Sequence, residues 1–338
     1  GAGTRRGRPC SCPGWRGNTW LLVGPGPTET LSVAVPVGCH LDCHAHAVIP
    51  LGYLPFVGRP WRLTTVDESA ASRLASELDL HPATARCLVA RGVDDAARAG
   101  AFLRPRLADL RPPDRLAGFT DAVSRLALAV RAGETIGVFG DYDVDGVTST
   151  ALLASFLRAA GAKVIPRVAR REAGYGFPVA EVQRFVAERA TLVVTVDCGT
   201  SDHEAILAAR ALGIDVIVVD HHQVPEGTAH PAVALVNPHR PDSSYPFRGL
   251  ASVGLAFFLA AATKTSLAAQ GWFAARPEPE VRDLLDLVAV GTIADVAPLC
   301  EENRVLVAAG LRELSARRRP GLAVLLERAG VERERALD

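Results

Sequence analysis

Methionine is absent from the 338 residues, which begin with glycine, and lysine occurs only at Lys163 and Lys264. A natural product starts with Met, so the expectation is a fragment or a gene model begun upstream of the true start. Almost all basic charge therefore rests on Arg, the better residue for bidentate phosphate contacts, although genomic base composition produces the same bias. Net charge is lacking too, with 37 basic against 37 acidic residues. No global field draws in a polyanion, which leaves room for a basic groove balanced by an acidic cluster. No N-terminal stretch has the charged, apolar and small-residue order of a secretory signal. The longest apolar run, 250–262, is shorter than a bilayer span. The expectation is a cytoplasmic protein with no membrane partner.

Seven cysteines are present, and Cys10, Cys12, Cys39 and Cys43 stand near His40, His44 and His46. Their spacing matches no zinc signature, and the Gly- and Pro-rich stretch around them has no apolar period. Residues 1–60 are therefore expected to be an irregular or non-native extension. Cys87, Cys198 and Cys300 are scattered singly and read as reduced thiols.

Order begins after this stretch. Residues 61–120 read as a helical N-terminal lead-in: 69–80 is amphipathic and broken at His81-Pro82, 83–91 is capped by Gly92, and 94–103 ends before Pro105. Pro112 and Pro113 mark a linker, and Asp121 is expected to cap a helix carrying Val123, Leu126 and Val130 on one face. Residues 121–300 then alternate strand and helix. Strands are expected at 135–139, 163–168, 192–196, 215–219 and 233–236, with helices near 147–160, 178–189 and 202–212. Helices follow at 250–263, 281–290, 301–314 and 321–329, so that 301–338 forms a helical tail. The expected fold class is α/β, a parallel β-sheet flanked by helices.

The first of these strands runs straight into Asp141, Asp143 and Asp145, which alternate with Tyr142 and Val144 ahead of Gly146. Three carboxylates in five residues repel one another unless a cation lies between them, but Asp is also a common turn former and N-cap. Two further strands decide between these readings. The strand 192–196 is followed at once by Asp197-Cys198-Gly199, and the strand 215–219 by Asp220-His221-His222. Parallel strands bring such ends to one edge, where α/β sheets bind ligands. Carboxylates with an imidazole suit Mn²⁺ or Mg²⁺ better than structural zinc. Cys198 reads as a turn residue, because adjacent side chains on an extended chain point opposite ways. Asp295, flanked by apolar residues, either caps the helix that follows or reaches the cluster.

Taken with Gly174-Tyr175-Gly176, Asn237-Pro238-His239, Leu250-Ala251-Ser252-Val253-Gly254, the stretch 286–298 and Asn303-Arg304, these motifs resemble the DHH phosphoesterase superfamily. Within it they are most similar to single-stranded-DNA-specific exonucleases of the RecJ type. The resemblance runs from about Trp61 to the end. It implies hydrolysis of phosphodiester bonds from the 5′ end of single-stranded DNA with two metal ions, Mn²⁺ or Mg²⁺, in DNA repair and recombination. By position it makes Asp143, Asp145, Asp197, His221 and Asp295 the ligands, with Asp197 bridging. Asp141 becomes a further acidic contributor, Asp220 the group that orients His221, and His222 a neighbour of the scissile phosphate. Arg167 and Arg171, together with Arg170, are expected to hold phosphates, Tyr175 to stack on a base, and Asn237 and His239 to lie near phosphate. A single-strand-binding protein and a helicase are partners implied by the family, and the protein is expected to be monomeric.

The sequence departs from the pattern in three ways. Ser252 stands where the family usually has Gly, a change expected to alter a contact without adding chemistry. The resemblance also implies a DHHA1-type substrate domain and an OB-like domain that the 338 residues do not include. Residues 1–60 resemble nothing in the family. Two alternatives stand beside the exonuclease: a phosphoesterase for small substrates such as pyrophosphate, short oligonucleotides or cyclic dinucleotides, and a non-catalytic replication scaffold. Retention of every expected ligand disfavours the scaffold. A dinucleotide-binding oxidoreductase is disfavoured because no GxGxxG follows the first strand.

Overall fold

The computed structural model describes residues 64–227, 229–333 and 336–337, and before them only the backbone of three short strands, β1 (Leu21–Val23), β2 (Leu31–Ala34) and β3 (Ala47–Ile49). These three pair antiparallel in the order β1-β2-β3, where an irregular stretch was expected. The Cys and His residues at 10–46 lie outside the described residues. By its internal packing the chain divides into two units, Gly1–Ala99 and Gly100–Asp338.

In the first unit the Asp67 carboxylate caps α1 (Glu68–Leu78) by accepting from the amides of Ser69 and Ala70, and Asp79 ends the helix in a left-handed conformation, φ 52°. Pro82 then opens α2 (Pro82–Ala90), where its missing N–H costs nothing. Ala71 and Leu74 of α1 and Ala85 and Leu88 of α2 are buried. The short α3 (Ala96–Leu103) follows.

The second unit is built on a five-stranded parallel sheet in the order β5-β4-β6-β7-β8. Its strands are β4 (Thr135–Gly140), β5 (Lys163–Val168), β6 (Leu192–Val196), β7 (Asp215–Val219) and β8 (Ala234–Val236), each within a residue of the sequence expectation. Alternation divides them between two apolar layers. Ile136, Val138, Leu192, Val194, Val196, Ile217 and Val219 face a core shared with α4 (Phe119–Ala132), α5 (Val144–Ala159), α8 (Ser252–Ala269) and α9 (Leu285–Ala294). Phe139, Val193, Val216 and Val218 face a smaller core under α6 (Val179–Ala187) and α7 (His203–Ala211). A sheet covered on both faces explains the unbroken apolar runs. The tail consists of α10 (Glu301–Ser315) and α11 (Pro320–Arg328).

Three expectations are corrected. Gly118, not Asp121, stands at the N-cap of α4, in a left-handed conformation with φ 75°. The segment read as a linker packs into the second unit, where Leu116 is buried and the Arg111 guanidinium pairs with Glu301 and Glu302. Finally, α8 runs six residues past the expected end at 263. Its 18 residues have a mean hydropathy of 1.4, enough by length and composition to cross a membrane, but 61% of them are buried inside the protein. It is the central helix of the larger core, and Leu255, Ala256, Leu259 and Ala260 are fully enclosed.

Candidate metal centre at the carboxyl edge of the sheet

The turn from β4 into α5 is tight because two of its residues have no side chain. A Cβ on Gly146 would stand 2.5 Å from the Asp141 carbonyl oxygen, and one on Gly140 would stand 2.1 Å from Thr150 Oγ1. The closed turn places Asp141, Asp143 and Asp145 together. Asp143 caps α5, its Oδ1 accepting from the Gly146 amide at 3.0 Å, which leaves Oδ2 for another partner. The helix-cap reading of this residue is thus the one its contact shows. Asp145 is buried, and its oxygens accept from the first amides of α8: Oδ2 from Ser252 at 2.7 Å and Oδ1 from Val253 at 2.9 Å. The positive end of the helix dipole compensates the buried charge, and each oxygen keeps a lone pair.

β6 delivers Asp197 with φ 61°, a left-handed backbone that is uncommon outside glycine and concentrates at functional sites. β7 delivers His221, whose Nε2 lies 3.4 Å from Asp197 Oδ1 and 3.9 Å from Asp145 Oδ2, while its Nδ1 lies 4.0 Å from Asp295 Oδ2. Among the described residues two sets of donor atoms fall within 4.8 Å of one another, Asp145-His221-Asp295 and Asp197-His221-His222, and Asp143, expected as a ligand, is in neither. Asp295 ends α9 and reaches this cluster; the cap of the next helix, α10, is Cys300.

The electrostatics are those of a site built for positive charge. Burial pushes Asp145 well above the ordinary carboxylate range. Burial, with the Asp143 charge beside it, raises Asp197 to about 6 despite the neighbouring His221. Asp295 and Asp141 are raised chiefly by burial, and in each case Asp143 adds to the effect. Burial alone would lower His221, but Asp197, Asp145 and Asp295 lift it to about 9. Hard carboxylate oxygens with one imidazole fit Mn²⁺ or Mg²⁺ by donor chemistry, and such an ion would displace the protons that the cluster otherwise holds.

Asp220 does not orient the imidazole of His221. Its Oδ1 lies 2.7 Å from Nδ1 of His222 and accepts from the His221 amide at 2.8 Å, while Oδ2 accepts from the Thr200 amide at 3.1 Å. The turn after β7 carries His221 toward Asp197 and leaves the next side chain against Asp220. Burial opposes the charge on Asp220, but His222 and the amides hold its carboxyl well below the usual range, and Asp220 in turn raises His222.

The expected substrate-binding residues divide. Tyr175 is 75% exposed and its ring lies 4.7 Å from that of Tyr142, over which Arg171 places its guanidinium at 5.1 Å. The Asp202 carboxylate ties this turn down by accepting from the Phe177 amide at 2.8 Å. Arg167 is not brought there; it pairs with Glu188 and Glu181 and lies over Phe185. Asn237 is fully buried and donates to Thr200 Oγ1 and the His222 carbonyl, so it braces the loop instead of facing solvent. His239 stays at the edge, half-buried and lowered by burial and by His221. Cys198 is buried in the smaller core. Sequence reasoning missed Tyr142 as an aromatic partner, Thr200, and the Ser252 hydroxyl, which donates to Asp197 Oδ1 at 3.1 Å. The place of Tyr142 between Asp141 and Asp143 carried a signal for the first; nothing local pointed to the other two.

The family model described as DHH family, N-terminal domain, matches residues 135–292. The chain is 42% identical over 254 residues to the single-stranded-DNA-specific exonuclease RecJ of Salmonella typhimurium, covering 74% of this chain and 43% of the relative. It is 38% identical over 275 residues to the protein of the same name from Bacillus subtilis, covering 80% and 33%. The crystal structure of RecJ in complex with Mn²⁺ from Thermus thermophilus superposes with a TM-score of 0.65 at 34% identity, covering 80% of this chain and 37% of that one. The chain spans less than half the length of the curated relatives it matches.

Proposed function

The chain belongs to the DHH family through residues 135–292, and from that premise we propose that it carries the catalytic core of a metal-dependent exonuclease acting from the 5′ end of single-stranded DNA, in repair and recombination. The observation that carries the reading is the meeting of Asp145, Asp197 and Asp295, delivered by three separate segments, around the one imidazole of His221. Asp143, Asp145, Asp197, His221 and Asp295 would hold two ions, Mn²⁺ or Mg²⁺. Such a pair, when bound, lowers the pKa of a water and neutralises charge on the phosphate and on the leaving oxygen.

The chain's own residues account for the remaining parts of the reaction. His222, held by Asp220 through Nδ1, presents its other nitrogen to a phosphate oxygen. Asp141, its pKa raised, is a proton acceptor beside the ligands. Tyr142 and Tyr175, steadied by Arg171, offer ring faces for unpaired bases, which a duplex keeps stacked. A single-strand-binding protein and a helicase are the partners this role calls for.

The test is Mn²⁺-dependent release of nucleotides from a 5′-phosphorylated single strand, set against the matched duplex, pyrophosphate and a dinucleotide. Preference for the single strand and its loss in Asp197→Ala are the expected results. Cleavage of the dinucleotide or pyrophosphate alone would replace the exonuclease by a small-substrate phosphoesterase, and near-normal activity of Asp197→Ala would refute the ligand assignment.

A further inference from the structure

Ser252 is fully buried at the first turn of α8, and it bonds two carboxylates that arrive from different strands. Its amide donates to Asp145 Oδ2 at 2.7 Å and its hydroxyl to Asp197 Oδ1 at 3.1 Å. The second bond joins residues 55 positions apart in sequence and falls on the oxygen that faces His221 Nε2 at 3.4 Å. A carboxylate on a left-handed backbone, φ 61° at Asp197, gains no orientation from regular secondary structure. Its terminal torsion is also intrinsically broad. The buried Ser252 hydroxyl, with a single proton to give, constrains that rotation from the side of α8, while His221 and Asp143 meet the same carboxylate from other sides.

We propose that Ser252 is a positioning residue for the metal centre: its hydroxyl holds Asp197 Oδ1 facing His221 while its amide holds Asp145, so that one residue sets the separation of two ligands. The inference rests on the metal-binding reading above. It assigns Ser252 no contact with substrate or with the reacting atoms. A donor behind a ligating carboxylate fixes its geometry, and loss of such a donor lowers metal affinity by about 10- to 100-fold. Replacing the hydroxyl by hydrogen leaves the amide contact to Asp145 in place, so the effect is separable from the helix start.

The experiment is calorimetric titration of the metal-free 338-residue chain with Mn²⁺, paired with thermal unfolding in chelator, for wild type, Ser252→Ala and Ser252→Gly. The expected result is Mn²⁺ binding weakened about tenfold or more in Ser252→Ala, with metal-free Tm within about 2 °C of wild type. Equal affinity in wild type and both variants overturns the proposal. If metal-free Tm falls in both variants in step with affinity, Ser252 belongs to the scaffold and the proposal also fails. Wild type that takes up no Mn²⁺ refutes the metal reading itself, an outcome distinguishable from either of these.

Discussion

Asp220 and His222 form the tightest carboxylate-imidazole contact at the edge of the sheet among the described residues, Oδ1 to Nδ1 at 2.7 Å, while the neighbouring His221 is turned toward Asp197. One residue pair thus fixes the tautomer of the outward histidine and leaves the inward one to the acidic cluster. Replacing Asp220 by Asn removes the charge that raises His222. The His222 titration, followed by NMR, is expected to move down toward the ordinary value, and turnover to fall by about 10- to 100-fold. An unchanged His222 titration in that variant would separate the two residues functionally.

The buried cluster makes metal-free stability depend on pH with a definite sign. Asp197 is raised from 3.8 to about 6, so the folded protein keeps a proton that the unfolded chain releases in that window. Stability therefore falls as pH rises through it. His221 is raised from 6.5 to about 9, so its contribution is full below 6.5 and disappears as pH rises through about 9. The slopes agree, and scanning calorimetry in chelator should show Tm declining from about pH 5 to about pH 9. In His221→Gln the upper part of that decline should shrink to the share that the raised His222 contributes. Added Mn²⁺ competes with the same protons, so its stabilising increment should grow with pH.

The exposed tyrosines predict a division between binding and scaffold. Tyr175→Ala should weaken single-strand binding by about 1–3 kcal/mol, read by fluorescence anisotropy, with little change in kcat. Arg167→Ala should leave binding unaltered, because that guanidinium is already paired with Glu181 and Glu188. The reverse pattern would move the strand path to the other side of β5.

Gly146→Ala tests the turn that gathers the aspartates. The added methyl meets the Asp141 carbonyl oxygen at 2.5 Å, so the turn must open. Urea unfolding should report a loss of about 1–3 kcal/mol, accompanied by lost Mn²⁺ binding. Full stability with full binding would mean that the turn accommodates a side chain.

The strands β4, β6, β7 and β8 were legible almost to the residue because each is an apolar run ended by a short polar residue, the pattern of a sheet covered on both faces. Helix ends were less so: Gly118 starts α4 through a positive φ that a pattern of side chains does not reveal. At the site, the acidic residues announced themselves by position after each strand. Their pairing did not. Whether Asp220 meets His221 or His222 is set by two backbone angles in one turn, and the partner of the Ser252 hydroxyl lies 55 residues away in sequence. Arg167 illustrates the opposite error, since its location at the end of β5 suggested phosphate, while Glu181 and Glu188 on the following helix and beyond it already neutralise it.

The clamp of α8 on Asp145 closes a span of 107 residues. Contacts that distant form late, because a long loop must close before its bond contributes. As the chain leaves the ribosome, β4 through β8 emerge and can pair while α8 and Asp295 are still being made. During that interval the carboxylates stand together without the helix dipole or Asp295. The nascent sheet is thus expected to lack a complete Asp145-His221-Asp295 cluster until synthesis has passed Asp295.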